Sequence, residues 1–226
     1  MKEDKSDIEI FRVGDIVTYK THPMFENRRI KGDTKLIPPI MVVISVNSNE
    51  HEAINTKYDC IYFDDDRCEF NVVLLKHFML RTFEDLLYEK INNKGMIIED
   101  YTTLIEKVKN YPPVKYELGS AVSFKTKKLE IYKKRTSKSI EIDPESGKIN
   151  EIKEVLNYVV SFASPDFILC QEFNQYPKGL IMNKPNNSYI SKELFKVKWY
   201  NVAKKKFSEQ ILPSECFVDQ FYLNDD

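Results

Sequence analysis

Glycine is scarce in this chain, at six of 226 residues, which excludes a Gly-rich phosphate-cradling architecture. Long apolar runs are missing too, and no stretch approaches the roughly 20 residues a membrane-spanning helix needs. The charged start, Met1 to Asp7, has no apolar segment behind it, so the expectation is a cytoplasmic chain without a secretory signal or a membrane partner. Histidine is rare: His22, His51 and His77 stand at no metal-ligand spacing from one another or from a cysteine. The four cysteines, Cys60, Cys68, Cys170 and Cys216, form no CxxC pair and read as reduced thiols. A Cys60–His77 nucleophilic pair would need a lowered thiol pKa and an orienting group, and nothing in the sequence supplies either. No catalytic signature occurs. The expectation is therefore no catalytic residue, no metal site and no cofactor.

What is present is a core-forming composition: 42% hydrophobic residues alongside 31% charged ones, which argues against wholesale disorder. The net charge of -1 excludes a globally basic nucleic-acid binder. It hides an asymmetry. Residues 1–110 carry 16 basic against 20 acidic side chains, a net of -4, whereas residues 111–226 carry 18 against 15, a net of +3. Only the second half is suited to a polyanion.

An internal repeat organises the chain. Phe11-Arg12-Val13-Gly14-Asp15-Ile16-Val17-Thr18-Tyr19-Lys20-Thr21 matches Tyr116-Glu117-Leu118-Gly119-Ser120-Ala121-Val122-Ser123-Phe124-Lys125-Thr126. Met41-Val42-Val43 is paired with Tyr158-Val159-Val160. Tyr62-Phe63-Asp64, Phe70 and Leu74-Leu75 are paired with Trp199-Tyr200-Asn201, Phe207 and Ile211-Leu212. Within each copy the period is two, so the segments read as strands. Asp64-Asp65-Asp66 and Asn201-Val202-Ala203-Lys204 read as hairpin turns. Three adjacent carboxylates on a turn splay apart, so the first is a solvated turn and not a cation site. Between the copies the period becomes helical. Thr82 and Asp100 are candidate caps, and Pro112-Pro113 is a stop. Residues 163–193 read as an insertion in the second copy.

The segments Val13-Gly14-Asp15-Ile16-Val17, Ile40-Met41-Val42-Val43 and Cys60-Ile61-Tyr62-Phe63-Asp64 resemble SH3-like barrel proteins, and more narrowly the small uncharacterised bacterial proteins of the YodC-like family. The second copy departs from the pattern, with Ser120 in place of the Asp and Val197 in place of the Cys. The resemblance implies a mostly β fold in which the two copies, over residues 8–81 and 114–222, are SH3-like small barrels; the helical period between them adds a helical hairpin over 82–113. The resemblance implies no catalytic residues. Wider relatives bind proteins or nucleic acids through aromatics and loops.

The candidate site is the last hairpin. If Phe195, Val197 and Trp199 point inward, Lys196, Lys198 and Tyr200 point outward, and the turn adds Lys204, Lys205 and Lys206. A second basic run contains Lys125, Lys127, Lys128, Lys133, Lys134, Arg135 and Lys138. Lysines beside an aromatic suit phosphate neutralisation and base stacking, yet they equally form a solvated strand face. Two functions follow as expectations: a non-enzymatic protein-interaction adaptor, whose partner is another protein, or a nucleic-acid-binding accessory protein acting through the second copy.

Overall fold

A computed structural model describes residues 9–21, 38–48, 53–64, 66–82, 111, 114–127, 130–142, 149–161, 164–181, 188–191 and 193–219. The runs rich in β-branched and aromatic residues form strands, as their period-two patterning requires. In the first repeat these are β1 (Ile16–Tyr19), β2 (Met41–Asn47), β3 (Lys57–Asp64), β4 (Glu69–Lys76) and β5 (Leu80–Thr82). They form an antiparallel sheet in the order β4-β3-β2-β1-β5. In the second repeat β6 (Ala121–Phe124), β9 (Asp166–Phe173), β11 (Leu194–Asn201), β12 (Lys206–Pro213) and β13 (Phe217–Asp219) form a second sheet, ordered β12-β11-β9-β6-β13. Strand for strand, the two orders are the same.

The equivalence extends to single residues. Gly14 and Gly119 have φ of 91° and 89°, a region that costs a residue with a Cβ. Their amides donate to the carbonyls of Val43 and Leu169, both at 2.8 Å. The register of β2 slips at Ile44, and that of β9 slips at Cys170, one residue past those carbonyls. Cys68 and Lys205 hold φ of 52° and 51° at the same place in their hairpins. A 3-10 turn, His77–Met79 or Ser214–Cys216, precedes the last strand of each sheet.

These bonds correct one of the repeat matches. The partner of Met41-Val42-Val43 is Phe167-Ile168-Leu169, since Val17 lies opposite Met41 and Val122 opposite Phe167. Tyr158-Val159-Val160 instead belongs to β8 (Ile149–Ser161), which pairs with β7 (Glu130–Ile142) in a separate two-stranded sheet. Residues 163–193 are thus not simply an insertion: they contain the central strand β9 and the short β10 (Ser188–Ile190), which pairs with β2 of the first repeat. An apolar triplet alone does not distinguish a sheet strand from a hairpin arm, whereas the glycine's hydrogen-bond partner does. The helical connector expected over 82–113 lies outside the described residues, apart from Thr82, which sits in β5 opposite Val17, and Tyr111, whose hydroxyl accepts the Asp219 amide at 2.9 Å. Among the described residues the only helical elements are 3-10 turns.

The two sheets share a core. The inner face of the first sheet, including Val17, Met41, Val43, Tyr58, Cys60 and Leu80, closes on itself with Phe11 and Val13. Its outer face, Val42, Ile44, Ile61 and Phe63, joins the inner face of the second sheet, including Phe124, Phe167, Leu169, Val197 and Trp199. The strand β3 is therefore buried on both sides. Phe70 carries this contact. Its ring meets Phe124 at 5.1 Å, Phe167 at 5.4 Å and Trp199 at 5.5 Å, the tilted and edge-on geometries that aromatic quadrupoles favour.

Two stability measurements follow. Phe70→Ala is expected to destabilise the chain by about 3 kcal/mol, the low end for truncating a packed Phe, read as a lowered urea midpoint. Gly14→Ala and Gly119→Ala both carry the positive-φ penalty, about 1–3 kcal/mol. Only at Gly14 would the new Cβ meet another atom, the Glu215 Cβ at 3.0 Å; nothing lies within 4 Å of the one at Gly119. The Gly14 variant is expected to be the less stable of the two.

Candidate binding face of the second repeat

The outward face of β11 is built as its alternation predicts. Phe195, Val197 and Trp199 are buried, Lys198 and Tyr200 are exposed, and Lys196 is half-buried. Lys196, Lys198 and Tyr200 stand opposite Ile211, Glu209 and Phe207 of β12, and Lys198 stands opposite Ile168 of β9. Tyr200 and Phe207 form an edge-on pair with ring centroids 5.6 Å apart. They are 51% and 67% exposed, and Val202 at the turn and Ile168 beside Lys198 are 64% and 46% exposed. An open pocket of about 370 Å³ adjoins this face, between the Pro177–Leu180 turn and Lys196, Glu209 and Ile211.

The lysines are less available than their number suggests. Glu209 sits between Lys196 at 3.4 Å and Lys198 at 3.9 Å, and the Lys196 ammonium also lies 5.8 Å from the centre of the Phe173 ring. Lys204 pairs with Glu69 of the first repeat. Lys205 and Lys206 are exposed at the tip. The turn itself is local chemistry: the Asn201 carboxamide oxygen accepts the Lys204 amide at 2.8 Å, as the Asp64 carboxylate accepts the Arg67 amide at 3.2 Å in the first repeat.

The described members of the other basic run stand on other elements. Lys133, Lys134 and Arg135 lie on β7, opposite Tyr158, Asn157 and Leu156 of β8. Lys125 reaches into the junction between the repeats and donates to the Gly14 carbonyl at 2.8 Å; burial there pushes its pKa down. Lys127 pairs with Asp166.

What the sequence did not single out is that this face has a buried counterpart. By the shared register, Tyr200 and Phe207 occupy the positions of Phe63 and Phe70. Those two rings make the same edge-on pair, with centroids 5.1 Å apart, but they sit against the second repeat, where Phe63 is only 7% exposed. Their hairpin tip is tied down as well. The Trp199 indole donates to the Cys68 carbonyl at 3.0 Å, and the Asn201 amide donates to the Cys68 and Arg67 carbonyls at 2.9 and 3.2 Å. The Tyr176 hydroxyl donates to the Ile44 carbonyl at 2.9 Å. The sequence repeat already pairs Phe70 with Phe207, as the register does; which of the two is covered it does not show.

Cys60 and His77 do not form a nucleophilic pair. Cys60 is fully buried in the first-repeat core, where burial and the neighbouring Asp59 push its thiol pKa up. The His77 Nδ1 is taken by the Tyr58 hydroxyl at 3.0 Å, and its ring stacks on Phe11 at 4.6 Å. Burial first, and the Lys20 charge second, lower the pKa of His77. Because protonation of this imidazole is harder in the folded chain, its contribution to stability is complete above the unfolded value of about 6.5 and is lost as pH falls from there through the folded pKa. A stability profile from pH 8 to 5 is expected to decline over that window, and to decline less in His77→Gln.

Among the described residues no cluster of His, Cys, Asp or Glu is arranged to hold a metal ion, and no helix is long and apolar enough to cross a membrane. No family model, no curated protein and no solved structure matches the chain.

Proposed function

We propose that the protein is a non-enzymatic interaction adaptor, in which two SH3-like small barrels of the YodC-like kind are fused into one body and the outward face of β11 and β12 binds another protein. One observation carries the reading. The exposed Tyr200–Phe207 pair stands where the other repeat places a pair already used to bind a folded β-sheet. Exposed aromatics grouped on one face, with Val202 and Ile168 beside them, are the composition of a protein-binding patch.

The nucleic-acid reading is the second one, and Lys205 and Lys206 beside Tyr200 favour it. Against it, Glu209 is shared by Lys196 and Lys198 and offsets one of their two charges, and Glu69 offsets Lys204.

The two readings separate in one experiment. The full chain is used as bait in nuclease-treated lysate of its host, beside Phe207→Ser and Lys205→Glu/Lys206→Glu, and each protein is titrated with a labelled single-stranded oligonucleotide. A protein partner retained after nuclease and lost in Phe207→Ser is the expected result. Oligonucleotide binding that falls by about 0.7 log units per tenfold rise in salt for each contacting lysine, and vanishes in the Lys205→Glu/Lys206→Glu chain, with no retained protein, would replace the adaptor by the nucleic-acid binder.

A further inference from the structure

We propose that the second repeat carries a strand-addition site, the edge of β9 at Gln171–Phe173, and that this site takes an extended basic segment of another protein. It is separate from the Tyr200–Phe207 face and stands whether or not that face binds protein. The first repeat shows how such an edge is filled. Beyond the bond from Gly14 to Val43, the segment leading into β1 no longer pairs with β2, and β10 takes its place. Ile190, Tyr189 and Ser188 pair antiparallel with Ser45, Val46 and Asn47. By the shared register those three residues of β2 match Gln171, Glu172 and Phe173 of β9. There the segment leading into β6 ends its pairing in the same way, beyond the bond from Gly119 to Leu169. Among the described residues no strand takes over from it. Each repeat builds the place, and the first alone is seen to hold a strand in it.

Exposure shows that the second place is open. In the first repeat Gly14 and Val46 are buried, and Val13 is half-buried against the core. Their counterparts Gly119 and Glu172 are exposed, Leu118 is 59% exposed, and so are Cys170 and Gln171. A sheet edge of this kind leaves amides and carbonyls that an added strand satisfies.

Charge names the occupant. Where the first repeat has Arg12 and Val46, the second has Glu117 and Glu172, both exposed. Neither carboxylate forms an ion pair among the described residues. Glu172 stands opposite Phe195, on the face turned away from Lys196 and Lys198. A strand in the register of β10 puts its middle residue beside Glu172, and a Lys or Arg there makes an opposite-charge cross-strand pair. Val13 and Val46 pack in one cluster, so their counterparts Leu118 and Glu172 share a face. Leu118 then offers apolar surface to the methylene stem of that basic residue.

The experiment is a nuclear magnetic resonance titration of the isotope-labelled full chain with capped synthetic peptides, carried to millimolar concentration. One peptide has the sequence of residues 186–192, which spans β10, and a second has the same sequence with Tyr189→Arg. The second is expected to shift the amides of Gly119 and Gln171–Phe173, and to bind about fivefold more tightly than the first, the upper end for one cross-strand charge pair. In the chain with Glu172→Lys, an exposed substitution whose fold near-UV circular dichroism checks, that preference is expected to vanish and a peptide with Tyr189→Glu to bind better instead. Only alternate residues of an antiparallel strand direct their amides at a given neighbour. Methylating the peptide nitrogens that face β9 is therefore expected to abolish binding, and methylating those between them to leave it. No shift at Gln171–Phe173 at millimolar peptide overturns the proposal. So do shifts confined to Ser45–Asn47, which would mean exchange with β10 in the first repeat. Binding that is indifferent to methylation at every position overturns it as well, since that is ion pairing without a strand. Equal or tighter binding of the unsubstituted peptide removes the basic occupant and gives the place to β10 of a second copy.

Discussion

The seating of Phe70 among Phe124, Phe167 and Trp199 is the contact on which the rest of the structure depends. It takes a ring from the outer face of one sheet and makes it part of the inner core of the other. A small sheet that buries only one face has little apolar area to set against chain entropy. Burying both faces of β3 makes the two repeats one cooperative body, in which the second sheet is incomplete without the first. The polar contacts follow from this placement. Trp199 and Asn201 satisfy hairpin carbonyls that docking takes out of water, and Lys125 does the same for Gly14. Buried carbonyls left without donors would oppose docking.

The repeats kept their inner faces and diverged on their outer ones. Where the first sheet has Asp59, Ile61 and Val72, the second has Lys196, Lys198 and Glu209 by register. Where the first has Ile44, buried, the second has Cys170, exposed. Such replacements keep a free sheet face soluble, since like-for-like apolar residues would invite edge and face association. The aromatic pair is the exception: it stayed aromatic while its surroundings became charged. Retaining two large rings at high exposure, amid charges that pair with one another, is what sets this face apart from a merely solvated one.

Much of the fold was legible in the residues because the signals are local. Gly14 and Gly119 marked a backbone conformation that other residues resist, and the alternation of Phe195, Val197 and Trp199 with Lys196, Lys198 and Tyr200 told inside from outside before any partner strand was known. Asp64 and Asn201 announced their turns by the same short-range chemistry. The match that failed, Tyr158-Val159-Val160, failed because an apolar triplet has no address: hydrophobicity is non-directional, and only the amide-to-carbonyl bonds of Gly14 and Gly119 identify the strand beside them.

The availability of the lysines was not legible either. Nothing in the spacing of Lys196 and Lys198 reveals Glu209 across the hairpin as their shared counter-charge, or Glu69, far off in sequence, as the partner of Lys204. By itself the sequence determined two copies of one strand-forming pattern, the inward and outward face of each strand, and a division of charge between the halves, because these depend on neighbours two to four residues away. Tertiary structure alone decided that Phe63 and Phe70 are covered while Tyr200 and Phe207 are not, because burial between sheets is set by which surface of one copy meets which surface of the other, and two copies with the same local code can stand on opposite sides of that contact.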